Sequence, residues 1–174
     1  MVHVINSIKE VSDIYYDFDV IFISPKNKYL PKDITKTSEA GMDLTVENIN
    51  NDDFIKIMGM GVKYSIPEGF ELQLRLRSKT PIVHHCILAN SVGTLDSSYR
   101  GEIKAEIYYL DNTNPIKKDD SVCQIILSRY YKNFFTKSNE IRNIYFITNE
   151  KEYKDWSNII SSHRGEKGGV NTKQ

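Results

Sequence analysis

The stretch Ala89-Asn90-Ser91-Val92-Gly93-Thr94-Leu95-Asp96-Ser97-Ser98-Tyr99-Arg100-Gly101-Glu102 decides how the chain is read. Gly93 and Gly101 are free to take φ > 0, which suits sharp turns and close approach of a ligand. Asp96-Ser97-Ser98 is turn chemistry. From Glu102 onward the residues alternate, with Ile103, Ala105, Ile107 and Tyr109 on one face and Lys104, Glu106 and Tyr108 on the other. That is the period of a strand with one buried face. The stretch therefore reads as a bent hairpin carrying a carboxylate (Asp96), a ring with a hydroxyl (Tyr99) and an amide (Asn90). Taken alone, it is an Asx-type turn beside a solvated tyrosine.

Upstream, Leu72, Leu74 and Leu76 alternate with Gln73, Arg75 and Arg77. This predicts a half-buried strand with a cationic outer face. A strand that stops at Arg77-Ser78-Lys79 aims a hydroxyl, successive backbone N–H groups and cationic heads at one anion. Pro81 removes one backbone donor nearby. His84 and His85 read as neighbours on a strand, pointing to opposite faces and making a poor joint metal site. Cys86 to Ala89 is a buried run that leads into Asn90.

Further upstream, residues 18–23 are apolar and β-branched and predict a strand. Ala40-Gly41-Met42-Asp43-Leu44-Thr45-Val46 predicts another, residues 48–53 a turn cluster, and residues 54–62 a strand whose Gly59 and Gly61 suggest a bulge. Downstream, Asp111-Asn112-Thr113-Asn114-Pro115 is a turn. Residues 122–127 form an almost continuous apolar strand with Gln124 inside it.

Both ends carry additions. Ser7 and Glu10 have capping-box spacing, and the apolar residues behind them predict a helical extension within residues 1–16. The β domain spans residues 17–160, with an insert around 130–160. In that insert Tyr130, Tyr131, Phe134 and Phe135 either cover the end of the sheet or meet another subunit or protein partner. Residues 152–160, with Tyr153, Trp156, Ile159 and Ile160 at helical spacing, predict a short amphipathic helix. Residues 161–174 form a Gly-rich arm, the composition of a flexible end.

In 174 residues, 23 Lys and Arg balance 23 Asp and Glu. A duplex nucleic-acid binder shows a basic excess, so no nucleic-acid partner is expected, and near-zero net charge favours self-association. Two cysteines make neither a disulfide framework nor a zinc spacing and read as buried hydrophobes of a reduced compartment. No apolar run approaches the ~20 residues of a membrane span, and the N-terminus lacks a signal-peptide pattern. A soluble, cytoplasmic protein is expected, with no membrane partner.

Five segments, in order, resemble the motifs of the trimeric dUTP pyrophosphatases (dUTPases). They are Ala40-Gly41-Met42-Asp43-Leu44, Arg77-Ser78-Lys79, the Gly93 to Gly101 stretch, Asp120-Ser121-Val122-Cys123-Gln124 and Arg164-Gly165-Glu166-Lys167-Gly168. Arg77 and Asp96 stand 19 positions apart, the family's ordinary spacing. The resemblance implies a mainly β fold, an antiparallel β-barrel or jelly roll closed to limit exposed edges, with short helices added near both ends. It implies a homotrimer in which each site takes phosphate and metal motifs from one chain, the nucleoside hairpin from a second and the arm from the third.

The implied activity is a hydrolase of nucleotide metabolism, turning dUTP into dUMP and diphosphate with Mg²⁺. In this reading Asp96 is catalytic and orients the attacking water. Arg77, Ser78, Lys79 and Gln124 belong to the phosphate site, and Asp43 acts on the metal through water. Asn90 and the backbone from Thr94 through Leu95 to Asp96 and at Lys104 read uracil. Tyr99 packs under the deoxyribose, Arg164 meets the γ-phosphate, and Gly169 stands where the family's arm has its Phe. Lys79, Asp119 and Ser121 also depart from the family pattern, which has Ser or Gly, Gly and Arg there. The worn arm keeps two alternatives in view: a dUTPase-fold protein with weak or lost catalysis that binds a partner, and a pyrophosphatase for another nucleotide.

Overall fold

The hydrophobic alternation of β7 (Phe70–Leu76) places it at the centre of one sheet: Phe70, Leu72 and Leu74 are buried, while Arg75 is exposed. The computed structural model describes residues 2–5, 7, 19–32, 38–51, 54–90, 92–130 and 144–160. In that sheet β7 lies between β11 (Ser121–Arg129) and β9 (Gly93–Asp96), and β11 also pairs with β3 (Met42–Thr45). All pairings in this sheet are antiparallel. A second antiparallel sheet orders β4 (Asn48–Asn50), β5 (Lys56–Gly59), β10 (Lys104–Tyr109) and β8 (Cys86–Leu88).

The third sheet is mixed. β12 (Ile144–Ile147) runs parallel to both β1 (Val2–Ile5) and β2 (Val20–Ile23), and β2 pairs antiparallel with β6 (Lys63–Ser65). β2 is a four-residue run buried throughout, because both of its faces are covered. Val20 and Phe22 join the main core with Tyr64, Leu72, Leu74, Ile103, Ile107 and Ile125. Ile21 and Ile23 join a second core with Ile147, Trp156 and Ile160. Such two-sided burial is what a continuous apolar strand in a parallel pairing requires. Trp156 is fully buried. An aromatic side chain of this kind buries roughly 150–250 Å², worth about 4–6 kcal/mol of transfer free energy as an upper bound.

The structure corrects several expectations. The predicted hairpin is a crossover: β8 pairs with β10 and β9 with β7, so the stretch between them leaves one sheet and enters another. Gly93 and Gly101 do not take positive φ; among described glycines Gly61 (φ 64) and Gly69 (φ 90) do. Gly93 eases packing instead, since a Cβ there would sit a tight 3.1 Å from Leu74 Cβ. His84 and His85 are not on a strand. Thr80–His84 is helix α1, with Pro81 in its first turn where a missing N–H costs nothing, and His85 ends it at φ 46. Residues 48–50 are strand rather than turn, and the strand expected over 54–62 is confined to Lys56–Gly59, with Phe54 81% exposed.

Gly59 is not bulged. It lets Glu102 and Asn48 approach to within 2.3 and 2.5 Å of where a Cβ would be. The predicted C-terminal helix appears as two turns, α2 (Glu150–Lys154), capped by Asn149 accepting from Glu152 N, and α3 (Trp156–Ile159). β1 brings the first residues into the sheet, although the sequence left residues 1–16 outside the β domain. Apart from Ser7, the predicted N-terminal helix lies outside the described residues, as do residues 131–143 of the aromatic insert and the arm with Arg164 and Gly169.

Candidate active site

Three distant segments converge where β7 ends. Glu39, Ala40, Gly41, Asp43, Arg77, Ser78, Gln124 and Ile126 line a cleft of about 490 Å³. The register explains the convergence, because Gln124 on β11 faces Asp43 on β3 and Arg75 on β7. Arg77 ties the three strands together. Its Nη2 lies 2.9 Å from Asp43 Oδ2, its Nη1 donates to Ser121 O (3.1 Å) and its backbone N–H donates to Val122 O (2.9 Å). Asp43 is thus already paired with a guanidinium and has only part of its coordinating capacity left for a cation. Gln124 Nε2 donates to Leu76 O at 3.2 Å, which holds the amide over the cleft. Gly41 makes room for it, since a Cβ there would lie 2.0 Å from Gln124 Oε1.

Ser78 and Arg77 also belong to an adjoining cleft of about 280 Å³, lined further by Lys79, Thr80, Val83, His84 and Ser121. Thr80 fixes its floor, with Oγ1 donating to Val122 O at 2.7 Å. One cleft therefore carries carboxylates and an amide and the other the Lys79 ammonium and the His84 imidazole, and they meet at Arg77 and Ser78. Asp119 stands at φ 73, a backbone state that favours glycine. Its carboxylate accepts from Lys28 Nζ (2.8 Å) and Tyr29 Oη (3.0 Å), which offsets the strain and draws its pKa down.

The other predicted residues gather elsewhere. Asp96 ends β9 opposite Glu71, and Thr94 and Leu95 face Gln73 and Leu72. Ala89 N donates to Glu106 O (2.7 Å), so Asn90 continues beside β10, whose first residue is Lys104. Tyr99 is buried; its Oη donates to Glu102 O at 2.9 Å. Arg100, also buried, clamps the turn by donating to Ser97 O (2.6 Å) and Tyr99 O (2.8 Å). Burial lowers its pKa.

Within one chain Asp96 and the Arg77 cleft lie at opposite ends of β7, while Leu95 and Thr94 face the middle of the strand. Asp96 faces Glu71, six positions before Arg77, about 20 Å along an antiparallel strand. Sequence reading missed Glu39, which lines the cleft beside Asp43. It also missed Tyr64, whose Oη donates to Asp96 O at 2.8 Å. Tyr64 sits in a three-residue strand, Lys63–Ser65, that is buried throughout and too short to give a sequence signal.

Fold and clefts together define a jelly-roll β protein that presents a cationic strand end, a paired carboxylate and an amide at one site. The chain belongs to the dUTPase family. It is 43% identical over 117 residues to a deoxyuridine 5′-triphosphate nucleotidohydrolase of Finegoldia magna, covering 64% of this chain and 80% of that protein. It is 34% identical over 145 residues to the protein of the same name from Fusobacterium nucleatum, covering 80% of this chain and 86% of that one. The crystal structure of dUTPase from Streptococcus mutans superposes with a TM-score of 0.55 at 27% identity, covering 63% of this chain and 92% of that chain. A dUTPase of S. aureus phage phi11, described with a coordinated structural Mg(II) ion, shares the fold at a TM-score of 0.53, 18% identity and coverage of 70% and 97%. No protein-family model matches the chain. Among the described residues, no helix is long and apolar enough to cross a membrane.

Proposed function

We propose that this chain hydrolyses dUTP to dUMP and diphosphate. The observation that carries the reading is the convergence of Asp43, Arg77, Ser78 and Gln124 around one cleft in a chain of the dUTPase family. Water attacks the α-phosphorus, the bond from that phosphorus to the α,β-bridging oxygen breaks, and diphosphate leaves with the electron pair. The Asp96 carboxylate orients the water and accepts its hydrogen bond. Such chemistry needs alignment and charge neutralisation above all. Ser78, Lys79 and Gln124 hold phosphate oxygens. Arg77, bound to Asp43, keeps the loop and carboxylate in register, and Lys79 supplies the mobile positive charge.

Asn90 and the backbone from Thr94 through Leu95 to Asp96 and at Lys104 meet the uracil edge, Tyr99 underlies the deoxyribose, and Arg164 neutralises the γ-phosphate. Gly169 stands in sequence where the family's arm carries its Phe, so this arm brings no ring to the base at that position.

Mg²⁺ fits the donor set. The described residues contain no group of three or more His, Cys, Asp and Glu able to hold a metal by themselves. Mg²⁺ is commonly held by one or two carboxylates together with waters and substrate phosphates. Asp43, with Glu39 beside it, suits that role through water. When bound, the ion neutralises triphosphate charge.

The separation of Asp96 from Arg77 along β7 supports a homotrimer with shared sites, because a second copy has to bring its Asp96 to this cleft. Closed cyclic symmetry is the usual way to satisfy three such contacts at once. The test joins activity to assembly. Diphosphate release from dUTP, dCTP, dTTP and UTP is followed for the wild type and for Asp96→Asn, with light scattering on the same samples. We expect dUTP to be preferred, turnover to fall to a small residual rate in Asp96→Asn while binding of a non-hydrolysable analogue stays within about tenfold, and a mass of about 60 kDa, three chains of 20.1 kDa. A monomer that turns over dUTP refutes the shared site.

A further inference from the structure

Asp96 cannot orient water unless its own backbone is held, and the chain holds it from an unexpected direction. The carbonyl oxygen of Asp96 accepts two hydrogen bonds, one from Tyr99 N at 3.1 Å within the turn and one from Tyr64 Oη at 2.8 Å. Two donors occupy both lone pairs of a carbonyl and hold its peptide plane, and with it the direction in which the Cα–Cβ bond leaves the backbone. Tyr64 is 0% exposed, and its ring lies 6.2 Å from that of Tyr99, inclined at 43°. Its backbone is held in turn, because the indole Nε1 of Trp156 donates to Tyr64 O at 3.1 Å, a buried bond across 92 positions. Trp156 opens α3 and anchors the second core with Ile21, Ile23, Ile147 and Ile160.

We propose that Tyr64 is the positioning residue for Asp96, and that Trp156 sets Tyr64, so that the C-terminal helices are a working part of the active site. The proposal rests on Asp96 being the water-orienting carboxylate. Its physical basis is the sensitivity of a near-attack geometry to position: a displacement of the order of 1 Å costs about a hundredfold in rate. Losing one of the two donors to the Asp96 carbonyl permits a fraction of that displacement. Neither Tyr64 nor Trp156 is among the residues assigned to the phosphates, base or sugar, so substrate affinity rests on other residues.

Tyr64→Phe removes one hydroxyl and keeps the ring. The expected result is a kcat lower by roughly tenfold, with KM and the affinity for a non-hydrolysable dUTP analogue within twofold of wild type. Trp156→Phe should lower kcat by a smaller factor in the same pattern. A merely structural role is separated by repeating Tyr64→Phe in the Asp96→Asn background. If Tyr64 acts through Asp96, the residual rate does not change further; if it supports the fold generally, the same loss factor appears again. Unchanged kcat in Tyr64→Phe, or that repeated factor, overturns the proposal while leaving the proposed dUTP hydrolysis intact. Wild-type turnover in Asp96→Asn alone removes the role of Asp96 and the proposal with it.

Discussion

Replacing Gly41 by alanine should separate function from stability. A Cβ at this position would lie 2.0 Å from Gln124 Oε1 and 3.0 Å from Gln124 Cδ, whereas real Cβ contacts stay beyond about 3 Å. The backbone φ of Gly41 is not positive, so alanine itself is allowed there. What must yield is the far end of a flexible side chain, by about 1 Å. The Gln124 Nε2 to Leu76 O bond is then lost, a net cost of about 0.5–1.5 kcal/mol. For a chain of this size that lowers Tm by only about 1–6 °C. The displaced amide can no longer meet a phosphate oxygen. A hydrogen bond to a charged group is worth about 1.5–3 kcal/mol, which corresponds to about a 10- to 150-fold loss in kcat/KM. Steady-state kinetics on dUTP and a thermal melt measure both effects, and Gln124→Ala provides the internal control. Gly41→Ala should add little once Gln124 is gone. Full activity in Gly41→Ala, or an equal loss on top of Gln124→Ala, would show that the glycine does not act by admitting the amide.

Two further predictions concern the edges of the molecule. The hydroxyl and N–H of Thr113, with His85, hold the Asp111 carboxyl down to about 2, against an ordinary value of 3.8. Its contribution to stability is complete above the ordinary value and is lost as pH falls towards about 2; the Tm gap between wild type and Asp111→Asn should therefore close over that window, and a constant gap would refute the assignment. The arm lacks the family's ring at Gly169, and base–aromatic stacking is worth about 1–3 kcal/mol; Gly169→Phe with Val170→Gly should raise kcat/KM by roughly 5- to 150-fold, truncation after Ser162 should lower it modestly, and a truncation without effect would rule out a role for Arg164.

The cleft where β7 ends was legible in the sequence because its residues are short-range signals: a strand that alternates from Leu72 to Leu76 has to end somewhere, and Arg77-Ser78 marks the end. Gln124 stood out as an amide in an apolar run. The crossover from β8 to β9 was not legible, because a bent hairpin and a strand that changes sheets share the same turn residues. The αL residue His85 was missed because the adjacent histidines looked like strand neighbours, whereas Pro81 and the hydrogen bond from Val83 N to Lys79 O close a helical turn. Asp119 was noticed as a departure from glycine, but its positive φ and the Lys28 and Tyr29 contacts that accommodate it are tertiary facts. Tyr64 and Trp156 meet across 92 positions, a separation no local pattern encodes.

The parallel pairing of β1 and β12 has a consequence for how the chain reaches its folded state. Val2 pairs with Ile144, and Val20 with the same residue on its other side. Closing a loop of that length carries a logarithmic entropy term of about 4 kcal/mol, and such non-local pairings slow folding. During synthesis, β2 waits with one edge open until residue 144 and its neighbours have left the ribosome. The second core cannot form earlier, because Ile147, Trp156 and Ile160 belong to it. The second core is therefore completed late in synthesis, and the segment that completes it also completes the support beneath Tyr64.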